Sequence, residues 1–381
     1  MKKTACFLLV AAALFFVAFP AAAQEVPGSG EYYEEQYRAS GAGELPDSLP
    51  PDTRRLLDGL GVDGADSGKI LSVTPQGYFE KIVAIFTGQA GNPLRVFVSV
   101  TAVILLCALL NGMKLSFGEK PMGGVVDMVG TLCVCTIVVA PIVSCIADAA
   151  QMLTAASRFL LACVPVLAAV MAAAGQAASA GVYHMLMVAA GNAVAAFSAD
   201  VLVPLMNIFL GLSVVSSVSP GVKLGGLCGI LNKAVKWVMG LGMTLFTGLV
   251  TMHSLVASSA DSAGAKAAKF VVSSSVPVVG NALGDAFNTV VGCVKTLKSG
   301  VGAFGLLAGI FIFLPVLAEC LLWMLTLAAC SGISQIFSMD AVTSLLKASS
   351  DVVSTVLAIL LCCMMVLVIS TVVMMVIGGV T

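Results

Sequence analysis

The residues that could carry acid–base or metal chemistry are few and widely spaced. Only two of the 381 residues are histidines, His184 and His253, and no zinc-binding His-Glu-x-x-His, nucleophilic Gly-x-Ser-x-Gly or phosphate-binding P-loop motif occurs. Glu319 follows Pro315 inside an apolar run, where an acid usually faces a bundle interior or a cavity. Glu319 is therefore either a proton-relay group or, as we favour, a buried hydrogen-bonding group. We expect no enzyme activity, no cofactor and no metal.

Two further patterns contain residues that could do chemistry but lack the motifs that such chemistry needs. The segment Ala282–Phe287 (ALGDAF) lacks the first glycine of the Gly-x-Gly-Asp motif of intramembrane aspartyl proteases, and Asp127, Asp148 and Asp200 lack the pattern of a second catalytic aspartate. The twelve cysteines contain no Cys-x-x-Cys pair and lie almost all in apolar runs. Because a buried cysteine behaves as a small hydrophobic residue, packing roles are predicted for them rather than metal binding or redox chemistry.

Polar side chains at helical spacing interrupt the apolar sequence between residues 258 and 302. One stripe shares a single helix face and consists of Ser262, Lys266, Lys269 and Ser273. A second stripe has the same spacing and consists of Asn281, Asp285, Asn288, Gly292, Lys295 and Ser299. Pro277 and Gly280 separate them, since proline disfavours helix in the preceding residue and glycine permits a sharp turn. An amphipathic helical hairpin is predicted, whose stripes face either lipid headgroups or a polar cavity or partner.

The candidate residues for a conduit or for partner docking follow from these patterns. They are the isolated acid and the polar or turn-forming positions of the hairpin: Lys266, Lys269, Pro277, Gly280, Asn281, Asp285, Asn288, Lys295, Ser299 and Glu319.

The elements that must position these residues are apolar helices. Hydrophobic residues make up 59% of the chain and charged residues 10%, too apolar for a water-soluble core, and the apolar runs are continuous. The predicted fold class is therefore an all-α, polytopic membrane protein. About eight spans are predicted, within a range of six to eight: Val96–Met113, Val125–Ala147, Arg158–Ala174, Val182–Phe197, Val201–Val218, Trp237–Val256, Ala303–Ala329 and Val352–Ile377.

The chain divides into five predicted parts. Residues 1–23 read as a signal peptide, with a basic start, a short apolar stretch and a small-residue cleavage site. Residues 24–93 hold eleven acids and five bases and are predicted to form an acidic, largely flexible extracytoplasmic segment. Residues 94–257 contain the first six spans, 258–302 the hairpin, and 303–381 the C-terminal spans. On this count the four lysines of 258–302 lie outside, against the positive-inside rule.

The hairpin sequence also resembles a known family. The segment Ala265–Leu306, with Asn92–Phe97 (NPLRVF) and Val164–Gly175 (VPVLAAVMAAAG), is similar to the stage III sporulation protein AE family of endospore-forming Firmicutes, over most of residues 70–381. The resemblance implies a place in the mother-cell membrane facing the forespore, within a multi-protein channel that supports forespore development. The implied partners are the other membrane proteins of that complex and the lipid bilayer, with no nucleic acid. No catalytic residue is implied.

Two other functions remain open from sequence. A self-sufficient secondary transporter predicts internal repeats, and none is evident between residues 96–197 and 201–377. A non-conducting membrane scaffold for other subunits predicts that the polar stripes tolerate neutral substitutions, whereas a conduit does not.

Overall fold

A computed structural model describes residues 30–62, 64, 70, 75–117, 123–218, 225–275 and 280–376. Throughout these ranges the regular structure is helical, and no strand occurs in them. The all-α prediction is confirmed. The α-helices are α1 (Gly30–Ala39), α2 (Pro51–Asp58), α3 (Pro75–Gln89), α4 (Gly91–Phe117), α5 (Gly123–Ala173), α6 (Ala177–Ala196), α7 (Val203–Val218), α8 (Gly225–Ser275), α9 (Gly280–Ile336) and α10 (Asp340–Val376). A 3₁₀ helix covers Ala42–Ser48, and a π-helical turn, Phe197–Leu202, joins α6 to α7.

Three of these helices are much longer than a bilayer is thick. Helices α5 and α8 have 51 residues each and α9 has 57. At about 1.5 Å per residue they extend roughly 75–85 Å, against a hydrocarbon core of about 30 Å. Helix α5 continues through Pro141 and Pro165, and α9 through Pro315. Each long helix therefore carries polar residues well away from its most apolar part.

Five helical segments of the described chain are long and apolar enough to cross a membrane: Gly91–Gly112, Val126–Ala173, Asn232–His253, Gly292–Ile336 and Asp340–Met375. A polytopic protein is thus confirmed, with fewer candidate spans than the eight expected. The predicted spans Val125–Ala147 and Arg158–Ala174 lie in one continuous helix, α5. The predicted span Val182–Phe197 is not among these five segments. The predicted span Val201–Val218 corresponds to the shorter apolar segment Asp200–Ser216.

Helices α9 and α10 form an antiparallel pair at the centre of the bundle. Gly302 of α9 faces Met375 of α10, and Gly309 faces Leu367, so the two helices run in opposite directions. A Cβ atom at Gly309 would overlap the Leu367 side chain, and one at Gly302 would lie 2.5 Å from Met375 Cγ. A larger residue at either position would force the facing Met375 or Leu367 side chain to shift, because the helices approach so closely.

The acidic leader packs against this bundle. Helices α1, α2 and α3 contact α9, and the 3₁₀ helix contacts α5. Leu45 and Leu57 are buried, and the ring of Tyr78 stacks on that of Phe311 with their centroids 5.9 Å apart. Residues 30–62, expected to be largely flexible, thus contain helices whose leucines join the core.

Candidate functional site

The predicted hairpin belongs to the ends of the two long helices. Helix α8 continues to Ser275 and α9 begins at Gly280, so both predicted stripes lie on helical backbone. Pro277 lies outside the described residues. The side chains of the following stripe residues also lie outside the described part of the structure: Lys266, Lys269, Asn281, Asp285 and Asn288. The described side chains resume on α9 at Gly292.

Asp261 of α8 caps the first turn of α6. Its Oδ1 accepts the backbone N–H of Ala178 at 3.0 Å, and its Oδ2 accepts that of Ser179 at 2.9 Å. The first amides of a helix have no partner within the helix, and the helix dipole makes that end favourable for a negative charge. Gln176, which precedes α6, makes no side-chain cap of its own. The carboxylate therefore joins α8 to α6 over 83 residues of chain.

Lys298 of α9 also contacts the turn that precedes α6. Its side chain is only 5% exposed, and its Nζ donates to the Gln176 side-chain oxygen at 3.2 Å. Gly175, with φ of 78°, allows the chain to turn between α5 and α6 and to present Gln176 there. We call this set of residues, Gln176, Asp261 and Lys298 with the amides of Ala178 and Ser179, the polar junction.

The junction uses residues that the sequence analysis did not select. Lys295, predicted for the second stripe, is exposed, and Ser299 is partly buried, whereas Lys298 points inward. The stripe pattern identified the correct helix but not the lysine that contacts the bundle. A sequence signal for the junction was available in the helix-ending Gly175-Gln176 pair, because a following helix start needs a cap.

Glu319 lies far from the junction, 21 residues further along α9. Its Oε1 accepts the indole N–H of Trp323 at 3.2 Å, and it lies near Asp148 of α5. The Sγ atoms of Cys145 and Cys320 approach to 3.7 Å beside it. Glu319 thus has the hydrogen bond that our favoured interpretation requires, while a proton-relay role stays a prediction. In the described ranges no three His, Cys, Asp or Glu residues group as metal ligands would.

Outside the spans, burial perturbs one tyrosine of the leader. Burial raises the pKa of Tyr78 to about 12 from its usual 10, since the ionised phenolate is poorly solvated beside Phe311. The leader thus packs closely enough against α9 to bury part of this ring.

The fold and the polar junction define a polytopic helical membrane protein whose buried charges join helices to one another. The sequence model of the family described as stage III sporulation protein AE matches residues 64–378, and the chain belongs to that family. It is similar to the Stage III sporulation protein AE of Bacillus subtilis (strain 168), with 23% identity over 285 residues, 75% of this chain and 69% of the relative. No solved structure matches the chain. The resemblance seen in the sequence is confirmed, and the protein has a role in sporulation.

Proposed function

We propose that this protein is a multi-pass subunit of a sporulation-specific channel complex between the mother cell and the forespore. It lies in the mother-cell membrane that faces the forespore, with residues 24–93 outside the cytoplasm. It assembles there with other membrane proteins of the complex. The proposal combines the family assignment with the resemblance carried by the hairpin sequence.

The observation that carries the proposal is the different placement of two lysines one turn apart on α9. Lys298 is buried in the polar junction and fixes α9 to the α5–α6 turn, whereas Lys295 is exposed. Buried charges in a membrane protein usually face a bundle interior or a cavity. One lysine therefore serves the fold, and the other is available to a partner subunit.

The test is co-purification in detergent from sporulating cells. The wild-type chain should carry other membrane proteins of the complex with it, and Lys295→Ala should reduce their yield while leaving the level of the chain itself unchanged. Lys347→Ala, which removes an exposed lysine of α10, is the matched control and should leave the yield intact.

Three results would count against the proposal. If the chain purifies alone under conditions that preserve other membrane complexes, it is not a stable subunit. If the purified chain by itself transports a solute in vesicles, the secondary-transporter alternative is supported instead. Equal yields from wild type and Lys295→Ala would remove the docking role assigned to Lys295.

A further inference from the structure

We propose that a single bound water molecule bridges the hydroxyl groups of Ser179 and Tyr183, in a cavity between α6, α8 and α10. The site is independent of the proposed function, since it rests only on the geometry of the bundle. The cavity has a volume of about 10 Å³, close to the space that one water molecule needs.

Two buried hydroxyls supply the polar side of this cavity. Ser179 and Tyr183 are 2% and 3% exposed, and neither side-chain oxygen has a hydrogen-bond partner among the described residues. They are four residues apart on α6 and therefore project from the same face of the helix. Both line the cavity.

The remaining walls are apolar. Val182, Leu186 and Met187 of α6, Val250 and Ala257 of α8, and Val373 of α10 complete the lining. A hydroxyl buried among such groups without a hydrogen bond is costly, and in native proteins buried polar groups are nearly always bonded to protein or to water. A water molecule that contacts both hydroxyls removes that cost.

A third oxygen is close to the site. Ser370 of α10 lies next to the Tyr183 hydroxyl, and its own hydroxyl donates to the Leu367 carbonyl at 2.8 Å. Ser370 does not line the cavity, so Ser179 and Tyr183 are the two polar partners of the water, within the range of two to four found for buried water in proteins.

The cavity continues the polar junction into the bundle. The Asp261 carboxylate accepts a hydrogen bond from the backbone N–H of Ser179, and the Ser179 side chain lines the cavity. Ala257, one turn before Asp261 on α8, lies in the cavity wall. Polar contacts thus extend from the junction through Ser179 and the water to Tyr183. The water is a point at which α6, α8 and α10 can be held together without direct side-chain contacts.

Thermal unfolding of the full chain in detergent tests the site. If the water is bound, Ser179→Ala and Tyr183→Phe each leave it short of a partner, so each should lower the unfolding midpoint by roughly 1–3 °C. The double variant should lose less than the sum of the two, because both changes disrupt one bridge. Ser157→Ala is the matched control: this buried serine donates to the Gly191 carbonyl at 2.7 Å on the α5–α6 interface, and its loss should add to either change.

Two results would overturn the proposal. A buried hydroxyl without a partner destabilises the fold, so removing it should not lower the unfolding midpoint. A midpoint that rises or stays unchanged in either single variant therefore means that the bridge does not exist. A high-resolution experimental structure of the chain gives the direct measurement, and should show a density peak within about 3.2 Å of both oxygens. Well-ordered Ser179 and Tyr183 side chains with no such peak would contradict the site even if the variants failed to fold.

Discussion

Two segments of this protein that are each long and apolar enough to cross a membrane are held in the bundle to very different extents. In the most apolar window of Gly292–Ile336, on α9, 72% of the residues are buried, against 11% for Asn232–His253 on α8. Helix α9 is held by close packing, with glycines that admit α10. Helix α8 packs on α10 and α6 through only part of its surface, where Val235 and Val250 are buried and the Asn232 side-chain oxygen accepts the Thr355 hydroxyl at 2.8 Å. An apolar sequence can therefore serve the core of the bundle or its periphery.

The difference matters because the periphery is where partners and lipid meet the chain. Trp237, Leu241, Leu245 and Leu249 of α8 are all exposed, on one side of the helix. A helix whose apolar stretch is mostly exposed can change position at a smaller free-energy cost than one packed around glycines. We therefore expect substitutions on α9 to affect folding, and substitutions at the attachments of α8 to affect local mobility.

The largest expected effect comes from replacing a tightly packed glycine of α9 with alanine, compared with the same replacement at an open position of α8. Gly309→Ala places a methyl group against Leu367 and should destabilise the fold by about 1–3 kcal/mol, the usual cost of overpacking. Gly240→Ala on α8 meets no atom within 4 Å, and should be neutral or stabilising by up to about 1 kcal/mol through helix propensity. Thermal unfolding in detergent measures both. Equal shifts in the two variants would remove the distinction between the helices.

The next effect concerns the attachment of α8 to α6. Asp261→Ala removes the acceptor of two backbone amides and should cost about 1–2 kcal/mol, the typical value of a lost helix cap. Hydrogen exchange at Ala178 and Ser179 should accelerate, while exchange in the centre of α9 should not change. Asp261→Asn keeps one acceptor oxygen and should show a smaller effect. Glu34→Ala, an exposed acid of the leader, is the control, and similar acceleration in that variant would contradict the assignment.

A smaller, pH-dependent effect is expected where the leader meets α9. Because burial raises the pKa of Tyr78 to about 12, its contribution to stability is fully present below pH 10 and is lost as the pH rises toward 12. The difference in tyrosinate absorbance between wild type and Tyr78→Phe should titrate near pH 12 in the folded chain. In denatured chain it should titrate near 10. A folded-state midpoint near 10 would mean that the leader does not cover this ring.

The smallest effect is expected at the isolated acid of the packed helix. Glu319→Gln keeps a side-chain oxygen that can accept the Trp323 indole N–H, so the free energy of unfolding should change little. Sporulation frequency should equal that of wild type if the group only forms a hydrogen bond. A stable, correctly inserted variant that fails to sporulate would instead establish the proton-relay role.

The sequence predicted the helical class and most of the apolar segments but not their continuity. Asp148, Gln151 and Arg158 interrupt the apolar run of α5, at the boundary between the predicted spans Val125–Ala147 and Arg158–Ala174. A charged residue breaks a membrane segment without breaking a helix, and Ala, Leu and Met around these positions are strong helix formers. Hydropathy alone therefore did not predict that the two apolar segments belong to one continuous helix.

The polar junction was only partly predictable for a different reason. Helical periodicity reports which residues share a face, and it correctly placed polar positions on the end of α9. It does not report which distant turn that face meets, and Lys298 contacts Gln176 across 122 residues of chain. Asp261 and Lys298 acquire their roles only when α5, α6, α8 and α9 are assembled, so no local pattern marks them.

The contact between the leader and α9 sets an order of events during synthesis. Tyr78 stacks on Phe311, a residue made 233 positions later. At bacterial elongation rates of about 5–20 residues per second, the leader therefore waits roughly 10–50 s before its docking surface exists. Throughout that interval the leader side chains that contact α9 in the folded chain are without that partner. A truncated protein that ends before α9 should for this reason be far more sensitive to proteases in its leader than the full chain.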